Sequence, residues 1–169
     1  MQRKKPLPHI WLLSDARNDA VLERALRRLP RGSGFVFRHY HLPDGARRAQ
    51  FAALARIARA RDIAVVLAGS AAQARRWGAD GSYGSDRDAM LATAHSLSEL
   101  RRARRTAAVL LSPVFPTRSH PGGKVLGPVR FRLLATRAPV PVIALGGMNA
   151  RTARGLRWPR WAGIDAFLR

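Results

Sequence analysis

Short apolar runs alternate with stretches of helical periodicity along almost the whole chain. Continuous apolar runs are typical of parallel strands covered on both faces, whereas apolar residues spaced three and four apart mark one face of a helix. The runs predict eight strands, of which the fourth, fifth and eighth have the weakest patterns. They lie at residues 9–13, 34–37, 63–68, 79–83, 91–94, 107–111, 140–145 and 162–166.

Helical segments are predicted between these strands. One apolar stripe runs from Val21 to Leu29, and a second joins Phe51, Leu54, Ala55 and Ala58 in a helix that Asp44 would cap. Capping-box spacing begins at Ser70 and at Ser96. Further helices are predicted at residues 127–136 and after Asn149.

Strands that alternate with helices through short connections indicate an α/β fold with a parallel sheet. Eight strands favour a closed barrel over an open sheet. With 169 residues the chain is short for a (β/α)8 barrel, which usually needs about 200 residues or more. We therefore expect a single domain over residues 1–169, a compact TIM-type barrel with shortened or missing helices and a last helix that is absent or a stub.

The net charge of +21 changes the expected partners. Such a charge favours anions, including nucleic acids and phosphorylated metabolites. Only three of the 31 basic residues are lysines, and the arginines are scattered along helices as solvated faces would have them. No RNP-like strand, zinc-finger spacing or helix-turn-helix accompanies them. A phosphorylated small molecule is thus favoured, and nucleic acid is disfavoured.

Cysteine is absent, which excludes disulfides, thiolate metal sites and a cysteine nucleophile. The apolar run at residues 10–13 is too short for a signal segment, and no stretch approaches membrane-spanning length. We expect a cytoplasmic protein without membrane contact. Whether it forms a homo-oligomer is left open.

Two loops carry candidate phosphate-binding residues. The longest follows the sixth strand and contains Thr117, Arg118, Ser119 and Lys124, whose hydroxyls and charges suit an anion. A plain surface excursion is the alternative reading of so long a loop. The next loop contains Gly146-Gly147, where backbone N–H groups and the N-terminus of the following helix could approach a phosphate. TIM barrels commonly bind phosphate after the seventh strand.

These two segments carry a family resemblance. Ser112-Pro113-Val114-Phe115-Pro116-Thr117-Arg118-Ser119 with Leu126-Gly127, followed by Pro141-Val142-Ile143-Ala144-Leu145-Gly146-Gly147-Met148, resembles the thiamine phosphate synthase family, which includes thiazole tautomerase-like relatives. The resemblance implies a TIM barrel that binds a thiazole phosphate beside a pyrimidine diphosphate and Mg²⁺. In the implied reaction pyrophosphate leaves the pyrimidine methylene and the thiazole nitrogen takes its place.

Site residues follow from the same resemblance. Thr117, Ser119 and Gly147, with Gly146, would contact the thiazole phosphate. Arg38 and His120 are the candidate catalytic residues, and His120 stands where the family has a lysine. On the diphosphate and pyrimidine side the candidates are Arg38 and Thr93, and the candidate Mg²⁺ ligand is Asp88.

Several positions depart from the family pattern. Val36 and Tyr40 replace a glutamine and a lysine, and Tyr83 replaces a histidine. Ala68 and Gly69 replace an asparagine-aspartate pair that binds diphosphate and metal. The remaining departures are Asp165 near a serine that faces phosphate, and Pro113 at the histidine of the tautomerase branch. The alternative to an active synthase is therefore a degenerate relative that binds a phosphorylated thiazole without coupling it, so enzymatic activity is left open.

Outside this pattern, His39 and His41 alternate at the end of the second strand and could face the same side. A His-x-His pair on a strand is a metal-binding geometry, but two ligands need a third, for which the sequence offers His120 or Asp88. The sequence favours solvated histidines at the barrel mouth. Four tryptophans, Trp11, Trp77, Trp158 and Trp161, are predicted to be packing residues.

Overall fold

A computed structural model describes residues 6–118 and 121–167. Eight parallel strands form a closed barrel in sequence order, and β8 pairs with β1. The strands are β1 Ile10–Leu13, β2 Gly34–Phe37, β3 Ala64–Ala68, β4 Gly81–Tyr83, β5 Leu91–Ala94, β6 Ala108–Leu111, β7 Val142–Ala144 and β8 Trp161–Gly163. The predicted (β/α)8 TIM-type barrel is confirmed.

Six α-helices surround the described part of the barrel, and most are short. They are α1 Leu22–Arg28, α2 Asp44–Ala60, α3 Ala71–Trp77, α4 Leu97–Arg102, α5 Gly127–Ala135 and α6 Ala150–Leu156. Residues 84–90, between β4 and β5, contain no helix. After β8 only a 3-10 helix, Asp165–Phe167, follows within the described residues. The prediction of shortened helices and a stub at the end is thereby confirmed.

Helix starts agree with the predicted caps at three of four positions. Ser70, Ser96 and Asn149 are N-caps whose side chains accept backbone N–H groups. Asp44, by contrast, was expected to cap α2 but is its first helical residue. Pro43 is the N-cap, with φ −60° and ψ 151°, and makes no side-chain cap.

Two layers of apolar packing stabilise the barrel. Its interior is filled from all sides by Trp11, Leu13, Val36, Val66, Leu91, Ala108, Leu110, Ile143 and Ala162. Trp11 lies over Gly34, where a Cβ atom would come within 2.1 Å of the indole ring. Outside the strands, one cluster packs under α1 to α3 and another under α4 to α6.

The tryptophans pack as predicted. Trp161 stacks on Phe167 with ring centroids 5.6 Å apart, which covers β8 where only the 3-10 helix follows. Trp158 packs edge-on against Phe131 and donates its indole N–H to the Val142 carbonyl. No helix within the described residues is both long enough and apolar enough to cross a bilayer.

Candidate phosphate pocket and barrel mouth

The loops that follow β6, β7 and β8 enclose a cavity of about 730 Å³ at the carboxyl ends of the strands. Three predicted phosphate-binding residues, Thr117, Gly146 and Gly147, line it together. Ser119 and His120 lie outside the described residues. In a TIM barrel this face carries the active site, so the cavity is the candidate ligand pocket.

Close packing between two loops explains the glycine pair. Gly146 has φ +94°, and a Cβ there would lie 2.6 Å from the Cα atom of Pro113. Gly147 has φ +63°, and a Cβ would lie 2.5 Å from the Pro116 carbonyl oxygen. Only glycine tolerates both conditions. The Phe115 N–H also donates to the Gly146 carbonyl at 3.1 Å, so the two loops are in fixed register.

Three exposed arginines line the pocket: Arg118 after β6, and Arg151 and Arg154 on α6. Arg151 and Arg154 are three residues apart and therefore lie on the same face of the helix. Arg118 was named from the sequence, whereas Arg151 and Arg154 were missed. Their spacing directly after the glycine pair was the available signal.

The cap of α6 changes which groups are available to an anion. The Asn149 side chain accepts the backbone N–H groups of Arg151 and Thr152, at 2.9 and 3.0 Å. In turn, the Thr152 hydroxyl accepts a hydrogen bond from the Asn149 N–H at 2.8 Å. The cap thus already uses the N–H groups of Arg151 and Thr152 at the helix N-terminus that the sequence assigned to phosphate. The positive charge in the pocket comes instead from arginine side chains.

Asp165 also lines the pocket, as its position in the sequence suggested. Its carboxylate accepts a hydrogen bond from Arg17 at 3.4 Å. Arg17 contacts Asp15 at 3.0 Å as well, and Asp15 accepts from Arg38 at 2.8 Å. Two arginines therefore neutralise two carboxylates across the ends of β8, β1 and β2. The repulsion that Asp165 would exert on a phosphate is reduced accordingly.

Asp15 is ionised within this network. Partial burial opposes its charged form, but the side-chain and backbone hydrogen bonds from Arg17, together with the charges of Arg17 and Arg38, lower the pKa of Asp15 below its usual range. Asp15 thus acts as the fixed anion that positions Arg38 at the mouth.

Arg38, a predicted catalytic residue, follows the end of β2 and has one unpaired side-chain donor among the described residues. Its Nη2 atom binds Asp15, while its Nε atom is buried and has no hydrogen-bond partner among the described residues. A buried N–H without a partner is costly.

Behind Arg38 lies Arg47, which is 6% exposed. It donates from Nε to the Arg38 carbonyl at 3.0 Å and from Nη2 to the Ala68 carbonyl. The guanidinium also lies 5.4 to 5.8 Å from three ring centroids, those of Phe37, Tyr40 and Trp77. Burial lowers the pKa of Arg47, while the charges of Tyr40 and Asp44 oppose that shift. Sequence reasoning missed this residue, although it lies four positions before Phe51 on the apolar face of α2.

Thr93 lies in β5, which pairs with β6 beside the candidate phosphate pocket. Its hydroxyl is 2.6 Å from the hydroxyl of Tyr83, which replaces the histidine of the family pattern. Both residues line a second cavity of about 610 Å³, together with Tyr40 and Arg87. The carboxyl ends of the strands therefore border two cavities, the candidate phosphate pocket at β6 to β8 and a second one that the Tyr83 and Thr93 hydroxyls line.

No magnesium site is preassembled near Asp88. This residue is exposed in the connection between β4 and β5, and Ala68 and Gly69 have no side-chain oxygen to offer. Mg²⁺ requires near-octahedral oxygen ligands. The residues described here do not build such a set, and the Mg²⁺ requirement with Asp88 as ligand stays a prediction.

His39 and His41 lie side by side, as their spacing predicted, with ring centroids 5.0 Å apart. The expectation that both are solvated was wrong for His39, which is 1% exposed. Its ring stacks on Phe37 in the packing between the barrel and the helices. His41 is exposed.

Comparisons with known proteins bear on the family and the fold. A family model described as thiamine monophosphate synthase matches residues 11–166. The protein named "Putative thiamine-phosphate synthase 2" of Aquifex aeolicus (strain VF5) is 36% identical over 59 residues, which are 34% of this chain and 32% of that protein. The matched segment therefore spans about a third of the curated relative's length.

Solved structures show the same fold at low identity. Thiamine phosphate pyrophosphorylase from Pyrococcus furiosus has a TM-score of 0.78 and 20% identity, over 94% of this chain and 86% of that one. The enzyme of that name from Bacteroides thetaiotaomicron has a TM-score of 0.60 and 13% identity, over 95% and 84%. Citrate synthase SbnG has a TM-score of 0.62 and 10% identity, over 94% and 86%. At these identities the likeness shows the barrel alone.

Proposed function

The chain belongs to the thiamine monophosphate synthase family, and on that premise we propose that it couples a thiazole phosphate to a pyrimidine diphosphate with release of pyrophosphate. The thiazole phosphate binds in the pocket between the loops after β6, β7 and β8. The pyrimidine diphosphate binds at the β2, β4 and β5 side of the mouth.

The phosphate pocket carries the proposal. Its glycine pair lets the loops after β6 and β7 pack closely together at the pocket, and Arg118, Arg151 and Arg154 supply positive charge for a phosphate dianion. The lining carboxylate, Asp165, is paired with Arg17. The net field in the pocket therefore favours an anion.

In the coupling step the bond between the pyrimidine methylene carbon and the diphosphate oxygen breaks, and the leaving diphosphate takes the bonding electrons. The lone pair of the thiazole nitrogen forms the new carbon–nitrogen bond. The protein contributes position and charge rather than a covalent intermediate. The positive charge of Arg38, at the end of β2, would stabilise the departing diphosphate, and the Tyr83–Thr93 hydroxyl pair would contact the pyrimidine.

A second candidate is a binding protein that retains the thiazole phosphate without coupling it. The observation in its favour is the diphosphate side, where Ala68 and Gly69 offer no side-chain oxygen and Asp15 already neutralises one face of Arg38. Such a protein would keep the arginine pocket and lack turnover.

Calorimetry with the thiazole phosphate tests the shared binding step. We expect Arg151→Ala/Arg154→Ala to weaken binding at least tenfold, because two charge-assisted contacts to phosphate are lost. Arg75→Ala/Arg76→Ala, on the exposed face of α3, removes the same charge elsewhere and should leave the affinity unchanged. Equal losses in both variants would contradict the pocket assignment.

Turnover separates the two candidates. Wild-type protein with both phosphorylated precursors and Mg²⁺ should yield thiamine phosphate and pyrophosphate in equal amounts. Binding without product at high protein concentration would establish the binding protein instead. Absence of both binding and product would overturn both candidates.

A further inference from the structure

A separate group of polar side chains lies between the ends of β1 and β2, the 3-10 helix Ala16–Val21 and the first turns of α2. Asp19, His39 and His41 each offer one ligand atom, and these atoms all lie within 4.8 Å of one another. Within residues 6–118 and 121–167 no other group of three His, Cys, Asp or Glu residues meets this condition. Neither Asp88 nor any pocket residue belongs to the group.

His39 is rigidly positioned for a ligand role. Its φ of +39° is uncommon for a residue with a side chain, although histidine is among the residue types found there more often. The ring is buried and stacks on Phe37 with centroids 4.6 Å apart and planes 12° apart. On its other side the ring contacts His41. A backbone held in this region has a cost that the surrounding packing must offset, and such residues concentrate at functional sites.

Neighbouring residues orient the ligand atoms. Ser14 Oγ lies 2.7 Å from His39 Nδ1, on the far side of the ring from Asp19. The Gln50 side-chain amide donates to Asp19 Oδ1 at 2.7 Å. Histidines that bind metal usually donate their second ring nitrogen to an oxygen, and metal-binding carboxylates are themselves hydrogen-bonded. Both kinds of support are present.

A metal ion can take the place of the proton on His39 Nε2. His39 Nε2 lies 3.0 Å from Asp19 Oδ1, where its N–H donates while no ion is bound. Zinc–ligand bonds of about 2.0–2.2 Å place tetrahedral ligand atoms roughly 3.3 Å apart. His39 Nε2 and Asp19 Oδ1 are close to that spacing already. Only the exposed His41 has to move closer. With the ion on Nε2, the single proton of the neutral imidazole lies on Nδ1, and this N–H donates a hydrogen bond to Ser14 Oγ.

We propose that Asp19, His39 and His41 form a binding site for a divalent transition-metal ion, with zinc as the best match. Two imidazole nitrogens and one carboxylate oxygen suit zinc, whereas Mg²⁺ and Ca²⁺ prefer oxygen ligands. The fourth coordination position faces solvent, because His41 is exposed and the Asp19 side chain is 36% exposed. The ion would connect the 3-10 helix after β1 to the segment after β2. That segment carries Arg38, whose backbone N–H donates to Ser14 Oγ at 2.7 Å.

Zn²⁺ titration of the untagged full chain, followed by calorimetry, tests this site. We expect one ion per chain, and we expect His41→Ala and Asp19→Asn each to weaken binding at least tenfold. His9→Ala is the matched control, because His9 is also exposed but lies at the opposite end of β1, bound to the Pro159 carbonyl. Unchanged affinity in the His41→Ala variant, or no saturable binding to the wild type, would overturn the proposal.

Co²⁺ absorption spectroscopy on the wild type gives a second measurement that does not depend on variants. A four-coordinate site with two imidazoles should give an intense visible band that Zn²⁺ abolishes and Mg²⁺ leaves unchanged. If the wild type gave nothing beyond the weak spectrum of six-coordinate hydrated Co²⁺, that result would count against the site. This test holds even if the variants fail to fold. Circular dichroism without metal should show that His41→Ala is folded, because that side chain is exposed.

Discussion

Arg47 connects the ends of two strands through its side chain. Its guanidinium donates to the Arg38 and Ala68 carbonyls, so it satisfies backbone groups where β2 and β3 end and where a regular ladder no longer can. Three aromatic rings surround it and compensate part of the cost of burying a cation. Arg38 is thus positioned from behind by Arg47 and from the side by Asp15.

Arg47→Met removes these donors while keeping most of the apolar stem. Both carbonyls are then left without the guanidinium, and we expect a loss of about 2–4 kcal/mol in the free energy of unfolding, since each unsatisfied buried group costs about 1–3 kcal/mol. Urea denaturation measures this loss. Arg48→Met, the neighbouring exposed position on α2, should change stability by about 0.5 kcal/mol or less. Similar losses in both variants would show that the two hydrogen bonds contribute little.

Residues that are distant in sequence limit what could be predicted at this scale. The glycine pair and Thr117 were predictable because each lies in a local motif next to a strand. Arg17 with Asp165, 148 positions apart, and Asp19 with His39 meet only after the barrel closes. No local pattern in a single sequence indicates such pairs, so the proximity of Asp19 to His39 and His41 could not be predicted from the sequence.

Individual elements were predicted well where burial alone determines them. β6 and β7 are continuous apolar runs, and both were located within two residues at each end. The last strand was predicted to end too late, at residue 166 instead of Gly163, because Ile164 and Ala166 continue the apolar pattern. In the structure the chain turns after Gly163, and a Cβ at that position would lie 2.7 Å from the Cβ of Ala166. That turn depends on close tertiary packing that hydrophobicity does not report.

The pairing of Trp11 in β1 with Gly34 in β2 yields a test of how the barrel interior is filled. A Cβ at Gly34 would overlap the indole ring, which has no room to move in the closed interior. We expect Gly34→Ala to destabilise the protein by about 1–3 kcal/mol, the usual cost of overpacking. Thermal and urea unfolding would measure it.

Gly45→Ala is the control at this scale. Gly45 lies in the first turn of α2, and a Cβ there meets nothing within 4 Å. Alanine should therefore be neutral or stabilise the helix by up to about 1 kcal/mol. If Gly34→Ala behaved in the same way, Trp11 would have to be free to shift, and the interior packing described above would be wrong.

At the scale of the whole molecule, the positive charge forms a second anion-attracting surface besides the pocket. A groove of about 720 Å³ along α4 is lined by five arginines together with Leu97 and Ser98. The arginines are Arg87, Arg101, Arg102, Arg104 and Arg105. This surface lies beside β5, away from the phosphate pocket at β6 to β8. Its charge attracts any polyanion, whereas the pocket is proposed to bind a single phosphate.

Salt dependence separates these two kinds of anion binding. We expect single-stranded RNA to bind weakly and without sequence preference at low salt, with log affinity falling by about 0.7 per phosphate contact for each unit of log salt. Arg101→Glu/Arg104→Glu should weaken RNA binding more than Arg75→Glu/Arg76→Glu on α3, although both change the net charge equally. Gel-shift titrations at several salt concentrations measure the affinity and the slope. Equal weakening would mean that net charge alone drives RNA binding, and a sequence-selective complex that persists at high salt would contradict the assignment of this surface as non-specific.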